Sequence, residues 1–283
     1  MAADGTTPSD PNAQGFQRER RFVLQREEAE TFIVAVEPHV TLEVYDRERP
    51  IAYTRTTYLD TDDLEYFRTC DTPVASRLRV REYAAGAAVA PGAAPDAPTL
   101  TGICFLELKV SCGPVRTKAR FSAPPYILAD IVEGADAVET LWGGRLAQME
   151  PYRSIQERLR TGQLSPKVTT WYHRASLAAE QGRVRLTLDE GIAFCRPVGI
   201  GAPGAPGEPA EAVEYGPGRL LEVKYWGEPP EWLVGALAGL AEETGYSKFK
   251  MGILAMQRAE GAAADRRSTG FLAVPGHLRV REK

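Results

Sequence analysis

The sequence has 283 residues, of which 43% are hydrophobic and 25% charged, and its formal net charge is −4. This composition is typical of a soluble globular chain with enough apolar residues for a core, and the slightly acidic balance gives no expectation of nucleic-acid binding. Four cysteines without a CxxC pair, together with only three histidines, argue against a zinc site and favour a reduced, cytoplasmic setting. Neither a signal peptide nor a transmembrane segment is predicted.

Composition along the chain predicts one domain with long loops. Residues 1–15 are small and polar and predict a disordered start. The domain is expected to span residues 16–260. Two stretches rich in Ala, Gly and Pro, residues 84–100 and 199–218, read as flexible loops between strands. Residues 261–283 are expected to form a weakly structured tail.

Between these stretches an alternation of polar and apolar residues dominates, which predicts β-strands. The expected strands are Arg18–Leu24, Tyr53–Asp60, Ser76–Tyr83, Cys104–Ser111, Thr169–Leu177, Val184–Asp189, Ile192–Arg196 and Arg219–Tyr225. Fewer segments have helical spacing, and the expected helices are Arg26–Val36, Ile127–Val132, Arg153–Arg160, Pro230–Glu243 and Ser247–Arg258. The fold class predicted is therefore α+β, mainly β.

One strand carries charge at every second position. Arg77, Arg79 and Arg81 share one face of the predicted strand, and Leu78 and Val80 lie on the other. Guanidinium groups at this spacing stand roughly 6.6–6.8 Å apart. That interval suits contacts with successive phosphates of a linear chain, and the planar arginine fork matches phosphate oxygens.

Other predicted strands repeat the pattern of mixed charge at a spacing of two. The shared faces carry Glu19 and Arg21, Glu107 and Lys109, Glu222 and Lys224, and Arg185 with Thr187 and Asp189. A β-sandwich would turn such faces to solvent, whereas a closed antiparallel β-tunnel would turn them inward and cover its apolar faces with helices. The repetition over many strands favours the tunnel.

A tunnel rich in Arg and Lys needs anions, because like charges repel, and polyphosphate supplies them densely. The glutamates have two possible roles, which the residues alone leave open. They either pair with Arg and Lys, or they hold a divalent cation, since Mg²⁺ and Mn²⁺ prefer oxygen ligands and commonly combine carboxylates with substrate phosphates.

An ordered series of motifs resembles the VTC-type polyphosphate polymerase domain of the triphosphate tunnel metalloenzymes, over roughly Phe16 to Arg258. The matching pieces, in order, are Glu19-x-Arg21-Phe22, Thr57-Tyr58-Leu59-Asp60, the Arg77/Arg79/Arg81 strand, Glu107-x-Lys109 with Lys118, Tyr172-His173-Arg174, the Arg185–Asp189 strand, Leu221–Tyr225 and Ser247-Lys248-Phe249. The first motif has Arg21 where lysine is usual, which keeps the charge but changes its geometry.

The resemblance implies an eight-stranded tunnel with flanking helices and assigns roles to its residues. Phosphate contacts are implied for Arg21, Arg79, Arg81, Lys109, Lys118, Arg174 and Lys248. Glu222 is the first candidate metal ligand, supported by Glu107 and Glu19. Arg77, Arg185 and Lys224, on the same charged faces, complete the candidate substrate-binding set. We expect the catalytic group to be Arg79, Arg81, Lys109, Arg174 and Glu222.

The implied reaction is transfer of the γ-phosphoryl group of ATP to a growing inorganic polyphosphate chain, with Mn²⁺ or Mg²⁺ as cofactor. ATP and inorganic polyphosphate or triphosphate are the expected partners, and whether a membrane protein joins them is left open. Two alternatives remain at this point. One is a hydrolase of inorganic triphosphate or nucleoside triphosphate with the same fold, and the other is a non-catalytic polyphosphate-binding module.

Overall fold

The computed structural model describes residues 17–86, 98–112, 115–133, 150–162, 164–197, 199–200 and 212–269. The predicted disordered start at residues 1–15 lies outside the described residues, as do most of the two predicted loops and the end of the predicted tail.

Ten strands and six helices make up the described part of the chain. The strands are β1 (Gln17–Leu24), β2 (Thr41–Leu42), β3 (Ile51–Asp60), β4 (Val74–Gly86), β5 (Thr99–Cys112), β6 (Val115–Ala123), β7 (Ser165–Ala179), β8 (Val184–Cys195), β9 (Ala212–Tyr215) and β10 (Arg219–Trp226). The helices are α1 (Arg26–Val36), α2 (Glu65–Arg68), α3 (Pro125–Val132), α4 (Glu150–Gly162), α5 (Glu231–Leu237) and α6 (Lys248–Thr269), with 3₁₀ turns at Glu37–His39 and Glu180–Gly182.

The mainly-β prediction is confirmed, with differences at particular strands. Strand β6 was missed by the sequence reading. The two strands predicted at Val184–Asp189 and Ile192–Arg196 form the single strand β8, because Gly191 takes a φ of 59° and the strand continues past it. Strand β9 occupies part of the segment predicted as the loop 199–218.

Two helices end elsewhere than predicted. Helix α5 ends at Leu237 instead of Glu243, because Gly239 adopts a φ of 83° and breaks the helical path. Helix α6 continues to Thr269, so the first residues of the predicted tail are helical. Helix α1 matches its predicted bounds, and the backbone N–H of Gln25 donates to Glu28 Oε2 at 2.7 Å across its first turn.

Eight strands form one continuous antiparallel sheet in the order β1-β10-β8-β7-β3-β4-β5-β6, and the short strands β2 and β9 pair with β7 and β8. The prediction of a closed tunnel is wrong, because β1 and β6 do not pair within the described residues. The outer edge of β1 is already occupied. The N–H of Glu243 donates to the carbonyl of Arg21 at 2.7 Å, and Phe22 bridges to Glu242. The sheet is therefore a curled half-barrel.

Apolar packing covers the outer face of the half-barrel and fills one end of its concave side. Helices α1 and α5 pack with Leu186, Leu221 and Val223 outside the sheet. Helix α6 lies instead against the concave face, where Phe249 packs on Tyr58 with ring centroids 5.2 Å apart. The first residue of α6 consequently faces the interior. None of the helices in the described part of the chain has the length and apolarity needed to cross a membrane.

Candidate functional site

The concave face of the half-barrel encloses a cavity of about 170 Å³. Its lining includes nine Arg or Lys residues and two glutamates, so an excess of positive charge faces the interior. Alternation along β4 explains this, because Leu78 and Val80 are fully buried on the outer face while their arginine neighbours point inward. Eleven of the thirteen predicted site residues line the cavity, namely Glu19, Arg21, Arg77, Arg79, Arg81, Lys109, Lys118, Arg174, Glu222, Lys224 and Lys248.

A buried carboxylate fixes two of these cations. Arg174 donates from Nε to Asp189 Oδ1 at 2.6 Å and from Nη2 to Oδ2 at 2.7 Å. Lys248 Nζ lies 2.6 Å from Asp189 Oδ2, and the Asp189 side chain is fully buried. Asp189 thus holds an arginine of β7 and the first residue of α6 in one place. Asp189 lies on the face predicted from the sequence, although no role was predicted for it.

The ring of Tyr172 lies among these cations. The guanidinium carbon of Arg174 is 5.2 Å from the ring centroid and Lys248 Nζ is 4.7 Å from it. Burial alone would raise the pKa of Tyr172, but Arg81 and Arg174 outweigh it and lower the pKa. Two cations within about 5 Å of a buried phenol ring make the local potential positive.

Glu19 and Glu222 are neighbours joined by Arg21. Arg21 pairs with Glu19, and its Nε lies 3.6 Å from Glu222 Oε1. Glu222 also faces Arg174 at 3.7 Å and Lys248 at 4.0 Å. Burial would raise the pKa of Glu222, but the charges of Lys248 and Arg174 lower it well below its usual range. The pKa of Glu19 is also lowered, because the charges of Arg21 and Lys224 outweigh the effect of its burial. Both carboxylates are therefore ionised.

Glu107 is surrounded by cations in a different part of the site. Its side chain is 1% exposed and contacts Arg79 Nη2 at 2.8 Å, Lys118 Nζ at 2.6 Å and Arg120 Nε at 3.1 Å. Against the effect of burial, Arg79 and Arg81 lower the pKa of Glu107 to about 2. This carboxylate therefore acts as a counter-ion that orients β4 and β6 cations. Lys118 was predicted as a site residue although β6 was not predicted as a strand, whereas Arg120 was not predicted.

Arg81 differs from its neighbours because its charge is incompletely satisfied. Among the described residues, no group accepts a hydrogen bond from its Nε, although that atom is buried. Burial would lower the pKa of Arg81, but nearby Tyr172 and Glu107 outweigh this and raise it. A buried, charged donor without an acceptor is costly unless a ligand supplies one.

Further predicted residues lie toward the two ends of the site. Arg77 pairs in register with Lys109 across β4 and β5, and both line the cavity. Lys224 lies opposite Arg185 across β10 and β8. Arg185 itself lies outside the lining, where its half-exposed side chain faces Glu43 Oε2 at 3.2 Å. The structure thus brings all the predicted residues to the cavity wall except Arg185, which lies outside it, and Glu107, which does not line the cavity but contacts Arg79 and Lys118.

A divalent cation fits only one part of this arrangement. Within the described ranges, no three Asp, Glu, His or Cys side chains gather as a metal cluster. Glu19 and Glu222 nevertheless provide two ionised, neighbouring carboxylates on the cavity wall. Mg²⁺ and Mn²⁺ commonly use one or two carboxylates and complete their coordination with ligand phosphates and water. The donor set suits a metal that arrives with its phosphate ligand.

Sequence comparison places this arrangement in a known class of tunnel domain. A family model of the VTC domain matches residues 16–257, and the chain belongs to the VTC domain family. The resemblance noted from the motifs is confirmed. The family is one of polyphosphate- and triphosphate-related tunnel domains, and in this chain the described sheet of that domain is a half-barrel. No curated protein matches the sequence.

Solved structures of similar shape are distant in sequence. The PH1819 protein of Pyrococcus horikoshii OT3 is 12% identical, with a TM-score of 0.41, covering 83% of this chain and 97% of its own. A candidate adenylate cyclase from Bacillus halodurans is 14% identical, with a TM-score of 0.39 and coverage of 94% and 96%. Another from Vibrio parahaemolyticus is 11% identical, with a TM-score of 0.35 and coverage of 87% and 88%.

Proposed function

We propose that this protein is a metal-dependent polyphosphate polymerase that transfers the γ-phosphoryl group of ATP to a growing inorganic polyphosphate chain. The observation that carries the proposal is Arg81, whose guanidinium lies on the cavity wall and whose buried Nε lacks an acceptor among the described residues. Phosphate oxygens are acceptors of matching charge and geometry for such a group.

Three more buried polar atoms on the concave face support a bound anion. Within the described part of the chain, Thr56 Oγ1, Thr187 Oγ1 and the Tyr246 hydroxyl lack hydrogen-bond partners. Thr56 lies opposite Arg81 in register, Thr187 lies opposite Glu222, and Tyr246 lines the cavity. Hydroxyl donors on a wall rich in cations are suited to the oxygen-rich surface of a phosphate chain.

The cations bind and orient the two phosphate groups that react. Arg174 and Lys248 are fixed by Asp189, and Arg79 and Lys118 are fixed by Glu107. Preorganised positive charge stabilises the charge on the transferring phosphoryl group without reorganisation during the reaction. A phosphate oxygen of the acceptor chain serves as the nucleophile, so the reaction needs no nucleophilic side chain.

Glu19 and Glu222 would hold the divalent cation together with phosphate oxygens. When bound, such a cation neutralises phosphate charge and acts as a Lewis acid on the transferring group. Arg21, which contacts both carboxylates, keeps them close together despite their mutual repulsion.

The assay that tests the proposal incubates the purified protein with ATP and Mn²⁺. We expect long-chain polyphosphate and ADP to form, and we expect Arg81→Ala to lose this activity, which controls for contaminating kinases. Free phosphate without polymer would show a triphosphatase instead. Tight, metal-independent binding of polyphosphate without turnover would show a binding module. Either result overturns the polymerase proposal.

A further inference from the structure

Two aromatic rings continue the inward-facing rows of the cationic site. Tyr83 follows Arg81 by two residues on β4, and Phe105 precedes Glu107 by two residues on β5. Since side chains two residues apart share a face, both rings lie on the concave side, one step beyond the cations. Phe105 also pairs in register with Arg81. The rings therefore lie at the end of the row that starts from Arg77 and Lys109.

The two rings form a compact group with a guanidinium of β6. The guanidinium carbon of Arg120 lies 3.5 Å from the Phe105 ring centroid, which is a stacking distance. Tyr83 and Phe105 meet edge to face with centroids 5.8 Å apart, and Arg120 Nη2 donates to the Tyr83 hydroxyl at 3.4 Å. Glu107 fixes the other side of Arg120 at 3.1 Å. We call this group the aromatic platform.

The aromatic platform is not part of the apolar core. Among the described residues, neither Tyr83 nor Phe105 belongs to, or packs against, any of the three apolar clusters. Arg120 has a side-chain exposure of 40%, so part of its side chain at the platform is open to solvent. A flat π-surface that is held rigidly and left partly open is suited to stacking a planar ligand.

From this geometry we propose that the aromatic platform stacks the nucleobase of a nucleoside triphosphate whose phosphates occupy the cationic site. This deepens the polymerase proposal and rests on it. Neighbouring inward-facing side chains on one strand are roughly 6.6–6.8 Å apart. A base one or two steps from Arg81 suits a ligand whose terminal phosphates lie beside Arg79 and Arg81.

The platform recognises the face of the base and not its edge. Its only hydrogen-bonding groups among the described residues are the Tyr83 hydroxyl and the Arg120 guanidinium, and these already contact each other. Stacking of this kind is tolerant of base identity, because every base has a π-face. We therefore infer that ATP and GTP bind with affinities within about threefold of each other.

Other aromatic residues at the site are less suited to this role. Tyr58 lines the cavity but is 4% exposed and packed on Phe249. Tyr172 is 2% exposed beneath Arg174 and Lys248. Neither has an open face for a base.

The test uses calorimetry at a fixed Mn²⁺ concentration to compare base-free tripolyphosphate with ATP in a non-hydrolysable form, because ATP itself would react. We expect Phe105→Ala to raise the Kd for ATP roughly tenfold while leaving the Kd for tripolyphosphate unchanged. Phe105→Leu, which keeps apolar volume but removes the π-face, should behave in the same way. Tyr83→Phe, which keeps the ring, should have a Kd for ATP within about threefold of that of the wild type. Tyr126 is an exposed aromatic residue on α3, and Tyr126→Ala should change the Kd for neither ligand.

The outcomes separate this inference from the polymerase proposal. If Phe105→Ala weakens the binding of ATP and of tripolyphosphate equally, or changes neither, the platform does not hold the base. The proposed phosphate site is not affected by that result. If the wild type binds neither ligand, the cationic site itself fails and the platform proposal falls with it.

Discussion

Lys248 Nζ lies 2.6 Å from Asp189 Oδ2, and this contact joins the first residue of α6 to the middle of β8. Asp189 is fully buried and accepts two further hydrogen bonds from Arg174. Burial would lower the pKa of Lys248, but Asp189 and Glu222 raise it, so the ammonium stays charged. One carboxylate thus fixes the helix that fills one end of the half-barrel and two of the cations that face the cavity.

Replacing this carboxylate should destabilise the fold. Asp189→Asn removes the fully buried carboxylate that lies nearest to Arg174 and Lys248, and breaking a buried pair in this way costs about 3–5 kcal/mol. Urea denaturation measures the free energy of unfolding. The matched control is Asp62→Asn, because Asp62 also contacts a lysine at 2.6 Å but is 90% exposed, and we expect a change of under about 1 kcal/mol. Equal effects of the two substitutions would contradict the anchoring role of Asp189.

Glu107 should make the stability of the protein sensitive to acid. Its pKa falls from 4.5 to about 2 in the folded protein. Because the pKa of Glu107 is lower in the folded protein than in the unfolded chain, ionised Glu107 stabilises the fold fully above its ordinary pKa. This stabilisation is lost as the pH falls toward about 2. This difference in pKa corresponds to about 3 kcal/mol in the free energy of unfolding.

Urea denaturation between pH 7 and pH 3 tests this. Glu107→Gln should be less stable at pH 7 but lose less stability on acidification than the wild type. Tripolyphosphate should raise the Tm of Glu107→Gln more than that of the wild type, because it supplies the missing negative charge near Arg79 and Lys118. Identical pH profiles for the two proteins would exclude Glu107 as the source of the acid sensitivity.

The alternating charges made the faces of the strands predictable, and most of the predicted site residues line one cavity. Strand β6 was not predicted because its outward positions include Thr117 and Ala119, which give only a weak alternation of polar and apolar residues. Sequence periodicity also fails to show long-range partners. Glu82 continues the apolar face of β4 and is buried only because Arg55, 27 residues earlier, donates to it at 2.6 Å.

Closure of the sheet was not predictable for a similar reason. Whether β1 pairs with β6 depends on what else bonds to the edge of β1. That partner is the segment at Glu242 and Glu243, more than two hundred residues away in the chain. Because this segment was predicted to be helical, its pairing with the edge of β1 could not be predicted from the sequence.

Arg81 should dominate the affinity for phosphate chains. We expect Arg81→Ala to weaken tripolyphosphate binding by at least about tenfold, because a charge-assisted hydrogen bond contributes about 1.5–3 kcal/mol. Arg185→Ala should have less than about a threefold effect, because Arg185 pairs with Glu43 outside the cavity lining. Calorimetry at increasing NaCl concentration completes the test. Wild-type affinity should fall steeply with salt, and indifference to salt would contradict a charge-lined site.

Glu222 should separate metal binding from phosphate binding. Glu222→Gln removes an ionised carboxylate beside Glu19 while keeping the shape of the side chain. We expect ATP turnover to be lost, whereas metal-free binding of tripolyphosphate should be retained or strengthened because a negative charge is removed. Electron paramagnetic resonance of Mn²⁺ with a non-hydrolysable ATP analogue should show weaker metal binding in the variant. Unchanged Mn²⁺ affinity would remove Glu222 from the metal site.

The close approach of α6 to the concave face should depend on Gly252. A Cβ at this position would lie 2.9 Å from Cγ2 of Val168, so Gly252→Ala must push the helix or Val168 aside. Overpacking of this kind costs about 1–3 kcal/mol. Gly235 in α5 has nothing within 4 Å of an added Cβ, and Gly235→Ala should raise stability by about 0.5–1 kcal/mol because it restricts the unfolded chain. Since Lys248 begins α6 and faces the cavity, Gly252→Ala should also weaken tripolyphosphate binding, whereas Gly235→Ala should not. Full stability and unchanged binding in Gly252→Ala would show that α6 does not set the shape of the site.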